Sequence, residues 1–148
     1  MNDTKPDIDQ LFRTLMVVWL VMLFSQFALF WVAYALISEK AVENAAYGFL
    51  GNNPLVIIGA IVLAVSNLML SFVIRARGNA QAVAEQNVRH HQTGFIVACA
   101  LCETVSLIGI VLVAIFAYPF FYYWFALGIA GIFIHFPRRQ QLIDATTM

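Results

Sequence analysis

A chain of 148 residues holds one domain's worth of structure. It is 62% hydrophobic and 11% charged, with a mean hydropathy of +0.83; soluble domains are about half apolar and about a quarter charged, so the composition points to a membrane protein. The formal net charge is zero, and the absence of any basic tract or RNA-type aromatic motif argues against nucleic acid as a partner.

Four apolar runs are long enough to cross about 30 Å of hydrocarbon as helices. The first covers residues 14–37. Ala33-Tyr34-Ala35 matches a signal-peptidase pattern, but the run before it is long for a leader, and Asp3, Asp7 and Asp9 stand where a positive segment is expected. A retained helix is the expectation. A polar connection, 38–54, follows with Gly48, Gly51, Asn52 and Asn53, and Pro54 is placed to open the second run, 55–74. A longer polar loop, 75–92, comes next; its stretch 79–89 is rich in helix formers and could extend a helix beyond the membrane. The third run covers 93–116. After a very short connection at Tyr118-Pro119 the fourth covers 120–136, which makes the last two an antiparallel hairpin. Phe120 to Phe125 are all aromatic and read as an interfacial belt. None of the runs alternates with period two, as barrel strands would. The expected fold class is all-α, a four-helix transmembrane bundle forming one integral membrane domain over residues 1–148.

Basic residues set the expected orientation. Lys5 and Arg13 precede the first run; Arg75, Arg77 and Arg89 lie between the second and third; Arg138 and Arg139 follow the fourth. With four spans all seven share one side, and only Lys40 falls on the other. Cytoplasmic loops carry the Lys/Arg excess, so both termini are expected inside. The implied location is the cell membrane, multi-pass, of a bacterial inner-membrane type. The lipid bilayer is the expected partner, together with a homo-oligomer or a larger membrane complex.

Glu103 stands alone among the carboxyl and basic groups between Thr93 and Ala117. Ten residues at 1.5 Å each place it about 15 Å along the third helix, near the bilayer midplane. An acid at that depth is costly when ionised and is a functional-site candidate. Desolvation favours its neutral form. No Lys or Arg is expected deep enough in a span to pair with it. Cys99, Ala100, Ser106 and Leu107 share its helix face. Ser25, Gln26, Ser66 and Asn67 are the polar residues of other spans that could bond to it, so Gln26, Asn67 and Ser106 are supporting polar candidates. Small residues mark where helices could meet: Gly59, Ala60, Ala64, Ala98, Cys102, Gly128 and Gly131.

The segment Ala100-Leu101-Cys102-Glu103-Thr104-Val105-Ser106-Leu107-Ile108-Gly109-Ile110-Val111-Leu112 resembles the carboxylate helix of the rotary ATPase proteolipid (c-type) subunits. That helix has an A-L-x-E pattern, a short apolar stretch and then G-L/I-V. The resemblance implies that Glu103 is a proton- or cation-binding group of a c-like component. It covers about thirteen residues of one helix. The family's glycine-repeat partner helix has no counterpart in 55–74, where Gly59 is the single glycine, and the family's R-Q-P-type loop is replaced by Arg77-Gly78-Asn79.

Cys99 and Cys102 read as small packing residues, and His90, His91 and His135 as solvated or interfacial. No metal site, cofactor site or catalytic constellation is expected, and a non-enzymatic role follows. Three functional expectations remain. One is proton or cation handling at Glu103. The second is a structural or accessory subunit in which Glu103 anchors two helices. The third is a small multidrug-type exporter, although the first span lacks the acid such exporters usually carry there.

Overall fold

The computed structural model describes residues 8–37 and 39–144. Lys5 and Ser38, used above as an orientation marker and a loop boundary, lie outside them. The described residues form helices and no strand: α1 (Ile8–Ala35), α2 (Glu39–Ala45), α3 (Pro54–Glu85), α4 (Val88–Phe116), α5 (Tyr122–Ile134) and α6 (Arg139–Asp144). Three of them, α1, α3 and α4, are long and apolar enough to cross a membrane, and α5 is shorter. At 1.5 Å per residue α5 is only about 20 Å long.

The polar stretch 75–92 is not a loop. Helix α3 runs through it to Glu85, and only Gln86 and Asn87 separate it from α4. Gln86 is left-handed, with φ 52°, and ends α3. The Asn87 side chain then caps α4 by accepting from the Arg89 N–H at 3.1 Å. The result is a long α3–α4 hairpin. Its arms approach closely where Gly78 faces Gly94: a Cβ on Gly78 would lie 2.9 Å from the His90 carbonyl oxygen and 3.1 Å from the Gly94 Cα. Pro54 opens α3 as expected, and the 38–54 connection contains the short helix α2.

Contacts along the helices give their directions. Asp9 at the start of α1 pairs with Arg139 of α6 at 2.6 Å. Further along, the Trp19 indole N–H donates to the Ile132 carbonyl at 2.9 Å, and Phe30 meets Phe121 and Phe125. Ile57 shares a core with Leu112 and Tyr118. Helices α1 and α4 therefore run one way, α3 and α5 the other, and the two ends of the described chain meet at one end of the bundle.

Helix α4 is the hub, touching α1, α3 and α5. Of its most apolar 18 residues 44% are buried, against 17% in α1 and in α3. The outward faces of α1 and α3 carry large exposed side chains such as Phe24, Phe27, Trp31, Leu55, Val62 and Met69. A soluble domain rarely exposes so broad an apolar surface, and a lipid-facing helix must. The aromatic belt divides: Tyr122 and Tyr123 are exposed, whereas Phe121, Trp124 and Phe125 turn inward and are buried. This follows from the short α4–α5 connection, which folds the start of α5 back onto α4.

Candidate functional site

Two polar layers cross this apolar bundle. The first is at mid-height, where α1 and α4 meet. Glu103 is half-buried at the α1–α4 seam. It stands 15 residues after the start of α4 and 13 before its end, so it is central along the helix. Its Oε1 is 2.5 Å from Ser25 Oγ. The same Ser25 hydroxyl is 2.7 Å from the Met22 carbonyl oxygen, one turn back in α1. A hydroxyl has a single proton to donate, and here two acceptors compete for it. Either the one proton is shared between the two acceptors in a three-centre bond, or a carboxylic acid at Glu103 donates to Ser25 Oγ while Ser25 donates to Met22.

Gln26, the next residue on α1, points deeper and is fully buried. Its Oε1 accepts from the Ser106 hydroxyl in a short hydrogen bond, and its Nε2 meets no acceptor among the described residues. Gly128 of α5 faces this pair, and a Cβ there would lie 3.3 Å from Gln26 Oε1. Glu103, Gln26 and Ser106 are thus brought together in one layer, with Ser25 as the direct partner of the acid. Asn67 is half-buried on α3, outside the Ser25–Glu103 and Gln26–Ser106 pairs, and Ser66 is exposed. Cys99 and Cys102 are both free and buried.

The chain matches no protein-family model, and no significantly similar curated protein or solved structure was found. The reading of the site therefore rests on its geometry.

The second layer lies toward the end of the bundle where Asp9 meets Arg139, and the sequence reading missed it. Arg75, taken as a loop residue, is buried in α3 at 8% exposure. Its guanidinium donates to the His135 carbonyl, to the Phe136 carbonyl at 3.1 Å and to Gln141 Oε1 at 3.2 Å. It also lies 5.4 Å from the centre of the Phe95 ring. The two carbonyls belong to the C-terminal end of α5, so a cation sits where the helix leaves its acceptors unpaired.

His135 and His91 were expected to be solvated or interfacial, and both are instead buried at 1% exposure. Helix α3 supplies a partner for each, Ser71 for His135 and, in its continuation past residue 74, Asn79 for His91. His135 Nε2 is 2.9 Å from Ser71 Oγ. Ser71 Oγ also lies 2.6 Å from the Leu68 carbonyl; with its one proton directed there, the tautomer of His135 that satisfies both contacts is the one protonated on Nε2. The Cys102 thiol also points at Ser71 Oγ, at 3.8 Å. His91 Nδ1 is 2.7 Å from Asn79 Oδ1, and its Nε2 is buried without a partner among the described residues. His90 differs: it is half-exposed and pairs with Glu85 at 2.8 Å.

A signal for this second layer was present. The buried positions of α3 are 57, 60, 64, 71, 75, 78 and 82. They fall at helical spacing on one face, straight through the boundary that hydropathy drew at residue 74.

Proposed function

We propose that the protein is a small, non-enzymatic four-span membrane component, with both termini cytoplasmic, that binds and releases a proton at Glu103. The observation that carries this reading is the Ser25 hydroxyl, which lies between the Met22 carbonyl and the Glu103 carboxyl with one proton for two acceptors. A protonated Glu103 gives each contact a proton of its own, and loss of that proton leaves the two to share one. Glu103 is half-buried rather than fully enclosed. The orientation is supported by Arg75, Arg77, Arg89, Arg138 and Arg139, which all belong to one end of the bundle, while Lys40 belongs to α2 at the other. The carboxyl faces α1 of its own chain. A proton would thus be exchanged at the α1–α4 seam of one protomer, and a rotor ring is not needed for it.

A second reading, a subunit in which Glu103 is a polar anchor between helices, is favoured by the adjacent Gln26–Ser106 bond, which joins the same two helices. Interhelical hydrogen bonds of this kind contribute about 0.6–2 kcal/mol each. Purified protein in liposomes separates the two. Proton handling requires that a hydrophobic carbodiimide label Glu103 in a pH-dependent way, and that Glu103→Gln abolish proton flux with the fold intact. Unchanged flux in Glu103→Gln, with loosened assembly only in Glu103→Leu, would leave the anchor reading standing and sink the first.

A further inference from the structure

We propose that the cleft between α3 and the α5–α6 corner binds the phosphate headgroup of an anionic phospholipid, with Arg75 and Arg138 as its cationic contacts. The cleft has a volume of about 250 Å³, and Arg75, Asn79, Arg138 and Gln141 line its polar side. Phe72 and Ile134 line it as well, and both are exposed, at 45% and 62%. A phosphate held by the arginines would leave its acyl chains to run along that apolar pair. A free phosphate has no use for it.

Charge supplies the reason for an anion. Arg75 is a buried cation, and among the described residues its hydrogen-bond acceptors are two carbonyls and an amide, all uncharged. The ion pairs among the described residues are His90–Glu85 and Arg139–Asp9, so among those residues no carboxylate pairs with Arg75 or Arg138. A buried cation without a countercharge is expensive, and a second cation on the same cleft adds repulsion. Of the five guanidinium N–H bonds of Arg75, three are directed at protein acceptors and two are left over. A phosphate oxygen accepts a charge-assisted hydrogen bond from such an N–H. The depth also fits. Arg75 is 21 residues from the start of α3, about 32 Å along the axis, which is the distance from one face of the hydrocarbon to the other. Basic pockets between helices at that level suit acidic headgroups.

The proposal depends on the membrane reading and not on Glu103, so Glu103→Gln should bind lipid as the wild type does. The test is native mass spectrometry of the full chain in neutral detergent, with equal amounts of phosphatidylglycerol and phosphatidylcholine of matched acyl chains. The wild type should retain phosphatidylglycerol in preference, and excess inorganic phosphate should not displace it. Arg138→Gln should weaken that binding about fivefold, as expected for one arginine near a headgroup. Arg138 is exposed and lies outside the helices, so this variant should fold, and circular dichroism checks it. Arg77→Gln, which removes an exposed arginine not on the cleft, should bind normally. Equal retention of the two lipids, or an equal loss in Arg77→Gln and Arg138→Gln, overturns the proposal. Displacement by inorganic phosphate, with stabilisation of the lipid-free protein by phosphate alone, overturns the lipid as the source of the anion.

Discussion

Arg75 and His135 hold each other from two directions. The Arg75 guanidinium donates to the His135 main-chain carbonyl, while the His135 ring Nε2 is hydrogen-bonded to Ser71, one turn before Arg75 on the same helix. Backbone and side chain of one residue are thus fixed by two positions four apart on α3, and the end of α5 is joined to the middle of the long hairpin.

Removing Arg75 should therefore cost more than its charge alone suggests. Arg75→Ala leaves the buried His135 carbonyl and the part-buried Phe136 carbonyl without their donor, and a buried orphan costs about 1–3 kcal/mol. Arg75→Lys keeps the charge but cannot span the same acceptors, so it should fall between alanine and wild type. Thermal unfolding in detergent, followed by far-UV circular dichroism, measures the order. Equal stability of Arg75→Ala and wild type would show that the contact has no energetic role.

The α3–α4 hairpin gives a paired test with its own control. A Cβ on Gly94 would lie 3.2 Å from the Gly78 Cα and 3.3 Å from the Ile74 carbonyl oxygen, both backbone atoms with little freedom to move aside. Gly94→Ala should destabilise by about 1–3 kcal/mol through overpacking. Gly59 meets nothing within 4 Å, so Gly59→Ala should be neutral or slightly stabilising, because alanine is the better helix former by about 1 kcal/mol. If the two variants unfold at the same temperature, the close approach at Gly78 and Gly94 is not what holds the arms together.

These two sites also show what was legible in the sequence. The long helices were, because runs of apolar residues dominate hydropathy and nothing else places a chain in lipid. The Tyr118–Pro119 reversal was legible from its proline, Gln26 from its depth in the first span, and Ser106 from its place on the Glu103 face of the third. Arg75, His91 and His135 were not, because hydropathy treats a charged or imidazole side chain as the end of a span. The burial of Arg75 and His135 depends on neighbours distant in sequence: Ser71 and Arg75 reach residues sixty or more positions away. The pairing of Glu103 with Ser25 rather than Gln26 could not be read either. Adjacent residues on α1 differ by about 100° in direction, and only the packing of α1 on α4 decides which one faces the acid.

Tyr118, between α4 and α5, ties that turn to the loop that precedes α3. Its hydroxyl donates to the Phe49 carbonyl at 2.8 Å. Burial, with smaller effects from Tyr122 and Tyr123, pushes its phenol from 10.0 up to about 12. The folded state therefore holds the proton more tightly than the unfolded chain. The resulting stability is present in full below pH 10 and is lost as pH rises toward about 12. Tyr118→Phe should lose about 1 kcal/mol at neutral pH, the usual value of one such hydrogen bond, and should show a shallower alkaline decline. Alkaline denaturation profiles of the two proteins in the same detergent measure both effects, and superimposable declines would exclude Tyr118 as their source.

Ala117 offers the opposite sign. It ends α4 in the left-handed region, φ 49° and ψ 43°, and the Tyr118 N–H reaches back to the Leu112 carbonyl at 3.2 Å. This is the helix stop that glycine normally makes, with Pro119 following to prevent continuation. An alanine there carries a Cβ penalty of about 1–2 kcal/mol. Glycine relieves it but gives back about 0.5–1 kcal/mol through the greater freedom of the unfolded chain. Ala117→Gly should therefore stabilise the protein by a net of about 0.5–1 kcal/mol, which for a chain of this size raises the unfolding midpoint by a few degrees. Ala117→Val, with a branched side chain in the same conformation, should lower it. A midpoint that falls in Ala117→Gly would mean that this turn is not left-handed in the folded protein.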